Sequence, residues 1–111
     1  MEQRRTQRYQ MQLQLHIIQL GASRVNRIEE TRDISSGGVC FVSNDYVEVG
    51  DRVDYVITMS GNPPAVRIRC LGKVIRCRSI GEGTSPYEVA ITMERYQFLN
   101  PREVLAFAIA S

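Results

Sequence analysis

The chain has 111 residues, 43% hydrophobic and 23% charged, the composition of one ordinary globular domain and not of a disordered or collagenous chain. No apolar run approaches the ~18 residues of a membrane-spanning helix, and the Arg- and Gln-rich start shows no secretory pattern, so a cytoplasmic protein with no membrane insertion is expected. The net charge of +2 hides two basic blocks, six Arg against three acids in residues 1–32 and four Arg plus Lys73 without an acid in 65–80, which suits a local anionic site or solubilised strand faces but not a whole-surface polyanion binder.

Along the chain the dominant period is two. Tyr9, Met11, Leu13, Leu15 and Ile17 alternate with Gln10, Gln12, Gln14 and His16, which predicts a half-buried strand. Gly21-Ala22-Ser23 reads as a turn, followed by a more polar strand through Val25 and Ile28 toward Asp33. Ser35-Ser36-Gly37-Gly38 is a second turn whose glycines permit positive φ. Val39-Cys40-Phe41-Val42 is apolar, and Val53, Tyr55, Ile57 and Met59 alternate again. Ser60-Gly61-Asn62-Pro63-Pro64 must be a loop, because proline cannot sit in a central ladder. Val66, Ile68 and Cys70 alternate with Arg67 and Arg69, and Gly72 marks a bulge or bend where the phase shifts. Ile75 and Cys77 follow, with Arg76 and Arg78 on the other face. After a loop at Gly81-Glu82-Gly83-Thr84-Ser85-Pro86, Tyr87, Val89, Ile91 and Met93 form the last strand.

The period then changes. Asn100 is a good N-cap, Pro101 suits the first helical position, and Glu103 completes a capping box. Leu99 and Val104 are spaced for a hydrophobic staple. The pattern predicts an all-β fold, an antiparallel β-barrel over residues 9–94 with a C-terminal α-helix over 100–110. A flexible Arg-rich segment, 1–8, precedes it, and the whole of 1–111 reads as a single domain.

Catalytic chemistry is poorly supported. Three cysteines, Cys40, Cys70 and Cys77, are an odd number and read as reduced thiols. There is no Cys-x-x-Cys pair and only one histidine, so no metal site is expected. His16 falls on a polar strand face and assembles no triad. Glu29 and Glu30 are adjacent and face opposite ways on a strand. The glycine-rich loops carry no phosphate-loop lysine. Most of the aromatic residues fall at inward-looking strand positions, which argues against a nucleic-acid stacking platform.

Two segments carry more information. Arg4-x-x-x-Arg8 immediately precedes the first strand, and Asp33-x-Ser35-x-x-Gly38 ends the second at a turn. Alone, the first is a solvated terminus and the second an Asx- or Ser-type turn. An antiparallel return puts those two strand ends side by side, so the arginines, Asp33 and Ser35 can converge. Thirteen of the fourteen basic residues are Arg, whose planar fork suits phosphates and base edges.

In these residues the sequence resembles the PilZ domain family of bacterial cyclic di-GMP receptors. Val49-Gly50-Asp51, Gly72-x-Val74-x-Arg76 and Tyr87-Glu88-Val89-Ala90-Ile91 extend the resemblance over nearly the whole chain. It implies a six-stranded antiparallel β-barrel with a C-terminal helix. It further implies a non-enzymatic receptor that binds cyclic di-GMP, with no metal, and changes conformation to regulate an effector protein. The alternative is a PilZ-like interaction module that does not bind cyclic di-GMP in the cell. The ligand-binding residues the resemblance points to are Arg4, Arg8, Asp33, Ser35 and Gly38. Arg5 and Gly37 flank them, and Arg76 is a further stacking or phosphate contact.

Overall fold

The computed structural model describes residues 8–59 and 65–99. The expected C-terminal helix, the loop 60–64 and the positions of Arg4 and Arg5 lie outside the described residues. Seven strands follow in order: β1 Gln14–Leu20, β2 Ser23–Ser35, β3 Gly38–Ser43, β4 Arg52–Met59, β5 Val66–Gly81, β6 Thr84–Thr92 and β7 Arg95–Leu99. All pairings are antiparallel, and six strands close a ring in the order β4-β1-β2-β3-β6-β5, with β5 returning to β4. Closure removes the free edges that an open sheet would expose.

The period-two pattern fills the barrel. Leu15, Ile17, Phe41, Ile57, Val89 and Ile91 are all 2% exposed or less, and burial of such side chains is the main favourable term in folding. Tyr55 is also fully buried, and its hydroxyl donates to the Thr92 carbonyl at 2.9 Å, so its polar tip is satisfied.

β5 is one long strand rather than two. Its first half pairs with β4 and its second with β6, so the strand turns a corner of the barrel. Gly72 sits at that corner, where a Cβ would fall 1.7 Å from the Thr92 carbonyl oxygen. The phase shift expected at Gly72 comes slightly later, as a register shift between Val74 and Arg76. Ile75 is thereby left exposed while Cys77 packs on the core.

Several expectations need correction. The strand through Tyr87 and Met93 is not the last: β7 follows at Arg95–Leu99 and pairs with residues 67–71 of β5. Leu99 ends this strand. Tyr96 and Phe98 are 62% and 61% exposed, because β7 is added outside the ring and carries no buried face that a hydrophobic pattern would reveal. β1 begins only at Gln14, and Tyr9 and Met11 are exposed although the alternation runs through them. Positive φ occurs at Gly21, Gly50 and Gly83, not at Gly37 or Gly38. The loop around Gly83 shrinks to a hairpin turn in which Glu82 and Gly83 have φ of 56° and 90°, the left-handed pair that matches strand twist.

Candidate functional site

The Asp33 motif is built by a hairpin. Ser35 pairs with Gly38, Ile34 with Val39 and Asp33 with Cys40. Ser35 Oγ accepts the Gly37 N–H at 3.1 Å, the Ser-type turn that the residue types allow. The hydroxyl proton remains a donor.

The segment before β1 runs back along the end of β2. Tyr9 and Ile34 exchange two backbone hydrogen bonds of 2.9 Å, and the Met11 N–H donates to the Arg32 carbonyl at 3.2 Å. Buried Thr31 pins this return: its hydroxyl accepts the Leu13 N–H at 2.8 Å and donates to the Met11 carbonyl at 2.6 Å. The pairing carries Arg8 to Asp33, with Nη1 to Oδ1 at 4.0 Å. Both side chains stay open to solvent, 54% and 26% exposed, so the ion pair contributes little, about 0–1 kcal/mol.

Arg8, Asp33, Ser35, Gly37 and Gly38 line one groove of about 220 Å³. The groove also touches Cys40, Ala90 and Ile75. Asp33, Cys40, Ala90 and Arg76 stand in one register row across β2, β3, β6 and β5. The small side chains of Cys40 and Ala90 leave a low floor between a carboxylate on one side and a guanidinium on the other. Gly38 is required by close approach, since a Cβ there would lie 2.2 Å from the Ile91 carbonyl oxygen.

Arg76 does not line the groove but adjoins it. Its Nη2 is 4.0 Å from Cys40 Sγ and 3.6 Å from Glu88 Oε1. Its Nε is buried and has no hydrogen-bond partner among the described residues. Burial, with Asp33 and then Glu88 adding to it, pushes the Cys40 thiol up, while Arg76 pulls it down. The floor is therefore neutral at physiological pH. Among the described residues no three potential metal ligands stand together, and all three cysteines are free thiols.

Sequence reasoning missed Cys40, Ala90 and Glu88. Counting outward from the two-residue turn pairs Asp33 with Cys40, so that neighbour was readable. Ala90 and Glu88 arrive through the β3–β6 pairing, which has no local signal. The inward placement of aromatic residues also needs correction: Phe41 and Tyr55 are buried, but Tyr9, Tyr46, Tyr96 and Phe98 are more than half exposed.

The core yields a pH dependence. Burial, with Asp54 adding to it, pushes the Cys70 thiol up to about 12 from its ordinary value near 9, while Tyr55 pulls it down. Burial also pushes the Tyr55 hydroxyl up. Below about pH 9 both folded and unfolded chains keep the Cys70 thiol protonated. Above it the unfolded chain ionises first, so stability is lost as pH rises toward 12. The urea midpoint should fall as pH rises above about 9, and fall less steeply in Cys70→Ala. A flat profile would contradict the burial of these groups.

The sequence matches the PilZ domain family over residues 2–106. The chain belongs to that family. Among solved structures, the PilZ fold seen here is similar to the Bacillus subtilis inhibitor of motility, MotI/DgrA, with a TM-score of 0.69 and 16% identity. The match covers 96% of this chain and 48% of that one, so the chain spans about half the length of that protein. At this identity the likeness is one of fold. No curated protein matches the sequence.

Proposed function

We propose that this PilZ domain is a cytoplasmic, non-enzymatic receptor for cyclic di-GMP, and that binding changes its conformation and so regulates a partner protein. The observation that carries the reading is the convergence of Arg8, Asp33, Ser35, Gly37 and Gly38 on one groove. Guanine offers N1–H and N2–H₂ donors, and Asp33 is an acceptor. Arg8 suits a phosphate or the O6/N7 edge of a base. Gly38 lets β3 close against the Ile91 carbonyl at the groove wall. At about 220 Å³ the groove is smaller than the ~300–1,000 Å³ of drug-sized sites. That volume suits one guanine and its phosphate, and Arg4 and Arg5, outside the described residues, are proposed as further contacts from the sequence motif alone.

The free protein stores a simple exchange. Arg8 and Asp33 face each other across 4.0 Å, and a ligand replaces that weak pair with phosphate on Arg8 and guanine on Asp33. The exchange costs little and turns the Arg8 side chain, and the segment ahead of it, toward the ligand while the return from Tyr9 onward stays pinned, which makes it a switch. The Kd is expected to be micromolar, about −8 kcal/mol. Titration with cyclic di-GMP, using GTP and single-stranded RNA as competitors, tests the reading: competition by RNA would mark a nucleic-acid module instead.

Asp33→Asn discriminates further. Losing a carboxylate should help a dianion bind, yet exchanging one of its two acceptor oxygens for an NH₂ donor facing the guanine donors should weaken binding about tenfold. Titrations at two salt concentrations, with a melting curve, decide it. Tighter binding at low salt would leave Asp33 as a strand residue paired with Arg8 and no more.

The exposed Tyr96 and Phe98 pair, in edge contact at 6.1 Å, favours a second reading, an interaction module whose groove is unused in the cell.

A further inference from the structure

We propose that Arg32, Arg76 and Arg78, gathered around Glu88, form a phosphate-binding subsite at the β5 side of the groove. Only the identity of its natural ligand rests on the receptor reading above.

Glu88 lies on β6 two residues from Cys40's partner Ala90, on the same face of the strand. Its side chain is 13% exposed, and three arginines converge on it from two strands. Arg32 Nη1 from β2 is 3.3 Å from Oε2, while Arg76 Nη2 and Arg78 Nη2 from β5 are 3.6 and 2.9 Å from Oε1. Arg78 Nε also donates to Oε1 at 2.9 Å. One carboxylate cannot neutralise three guanidiniums, and the cluster keeps a formal charge of +2. At the other side of the groove Arg8 and Asp33 balance each other. The groove is thus electrically asymmetric, with its uncompensated positive charge beside β5 and β6.

A second observation points the same way. Arg76 Nε is buried and unpartnered among the described residues, and an unsatisfied buried donor is costly unless something comes to fill it. Arg76 and Cys40 flank Ala90 in their row, yet Nη2 reaches to 4.0 Å from Cys40 Sγ. The guanidinium therefore lies across Ala90, at the border of the groove floor. A phosphate settling over the cluster meets the exposed forks of the neighbouring arginines, the geometry in which Arg binds phosphate bidentately, and a rotation of the Arg76 side chain, itself 39% exposed, turns Nε toward it. Glu88 holds the three side chains together and also competes with the anion for them.

The fitting ligand chemistry is a phosphate ester or diester. It comes either from a phosphate of the nucleotide in the groove or from a separate phosphate compound. Two titrations followed by NMR of backbone amides and arginine Nε–H groups separate these sources, one with inorganic pyrophosphate and one with cyclic di-GMP. Arg78→Ala and Glu88→Gln are run beside wild type, each with a melting curve. Both ligands should move the Arg76 Nε–H resonance. Arg78→Ala should weaken cyclic di-GMP by about two- to fivefold and flatten its salt dependence. Glu88→Gln should tighten it by a similar factor. A response to pyrophosphate without any binding of cyclic di-GMP keeps the subsite, assigns it to a separate phosphate compound and removes the receptor reading. Arg8-dependent binding of cyclic di-GMP with Arg76 unmoved, or Arg78→Ala with unchanged affinity and salt slope, overturns the subsite and leaves the receptor reading standing.

Discussion

Arg8→Ala is expected to bind cyclic di-GMP about ten- to a hundredfold more weakly than wild type while melting at the same temperature. Two features of the structure separate the effects. Arg8 lies before β1, is more than half exposed, and makes one ion pair at 4.0 Å, so the barrel loses almost nothing with its guanidinium. The backbone return that places it is held by Tyr9, Ile34 and Thr31, none of which the substitution touches. In the proposed complex the same guanidinium would face a phosphate or a guanine edge, and a charged hydrogen bond there contributes about 1.5–3 kcal/mol. Calorimetry on the mutant, paired with its melting curve, checks both halves. Normal binding would make Arg8 irrelevant, and early melting would make it structural.

Gly72→Ala should act in the opposite way, removing about 3–5 kcal/mol of stability and taking the groove with it. The added methyl would sit 1.7 Å from the Thr92 carbonyl oxygen and 2.6 Å from its carbon. Those are backbone atoms, so no side chain can swing aside. The Thr92 carbonyl also receives the Tyr55 hydroxyl in the core, and the Thr92 hydroxyl receives the Lys73 N–H at 2.9 Å. Moving β6 away from β5 therefore breaks a buried hydrogen bond and loosens packing together. Urea denaturation gives the loss directly. A stability within about 1 kcal/mol of wild type would show that the corner is less tight than the structure has it.

What the sequence made legible follows from the physics of each element. Strands of the ring announce themselves because each buries one face, and the alternation in residues 53–59 and 87–93 is that burial written in residue types. β7 escaped because its side chains Tyr96 and Phe98 remain exposed, so it carries no such signature. The groove was half legible. The Asp33 hairpin is local, and turn chemistry fixes its register through Ser35 and Gly38. Bringing Arg8 to Asp33 needs the antiparallel return, which the order of the strands suggests but which the Thr31 hydroxyl completes. Nothing local to Arg76 or Arg78 foretells Glu88, since that meeting is set by the β5–β6 register. Glycine at 37 and 38 permits positive φ, but neither residue adopts it. At Gly38 the operative constraint is the nearby Ile91 carbonyl instead.

The most direct measurement is an amide NMR titration of the intact protein with cyclic di-GMP, read at the glycines. Gly37 and Gly38 line the groove, whereas Gly83 sits in the hairpin joining β5 to β6. Stepwise shifts of Gly37 and Gly38, saturating in the micromolar range with Gly83 unmoved, are the result this account predicts. Unmoved Gly37 and Gly38 amides at about 1 mM ligand, or shifts at Gly83 without them, would contradict it.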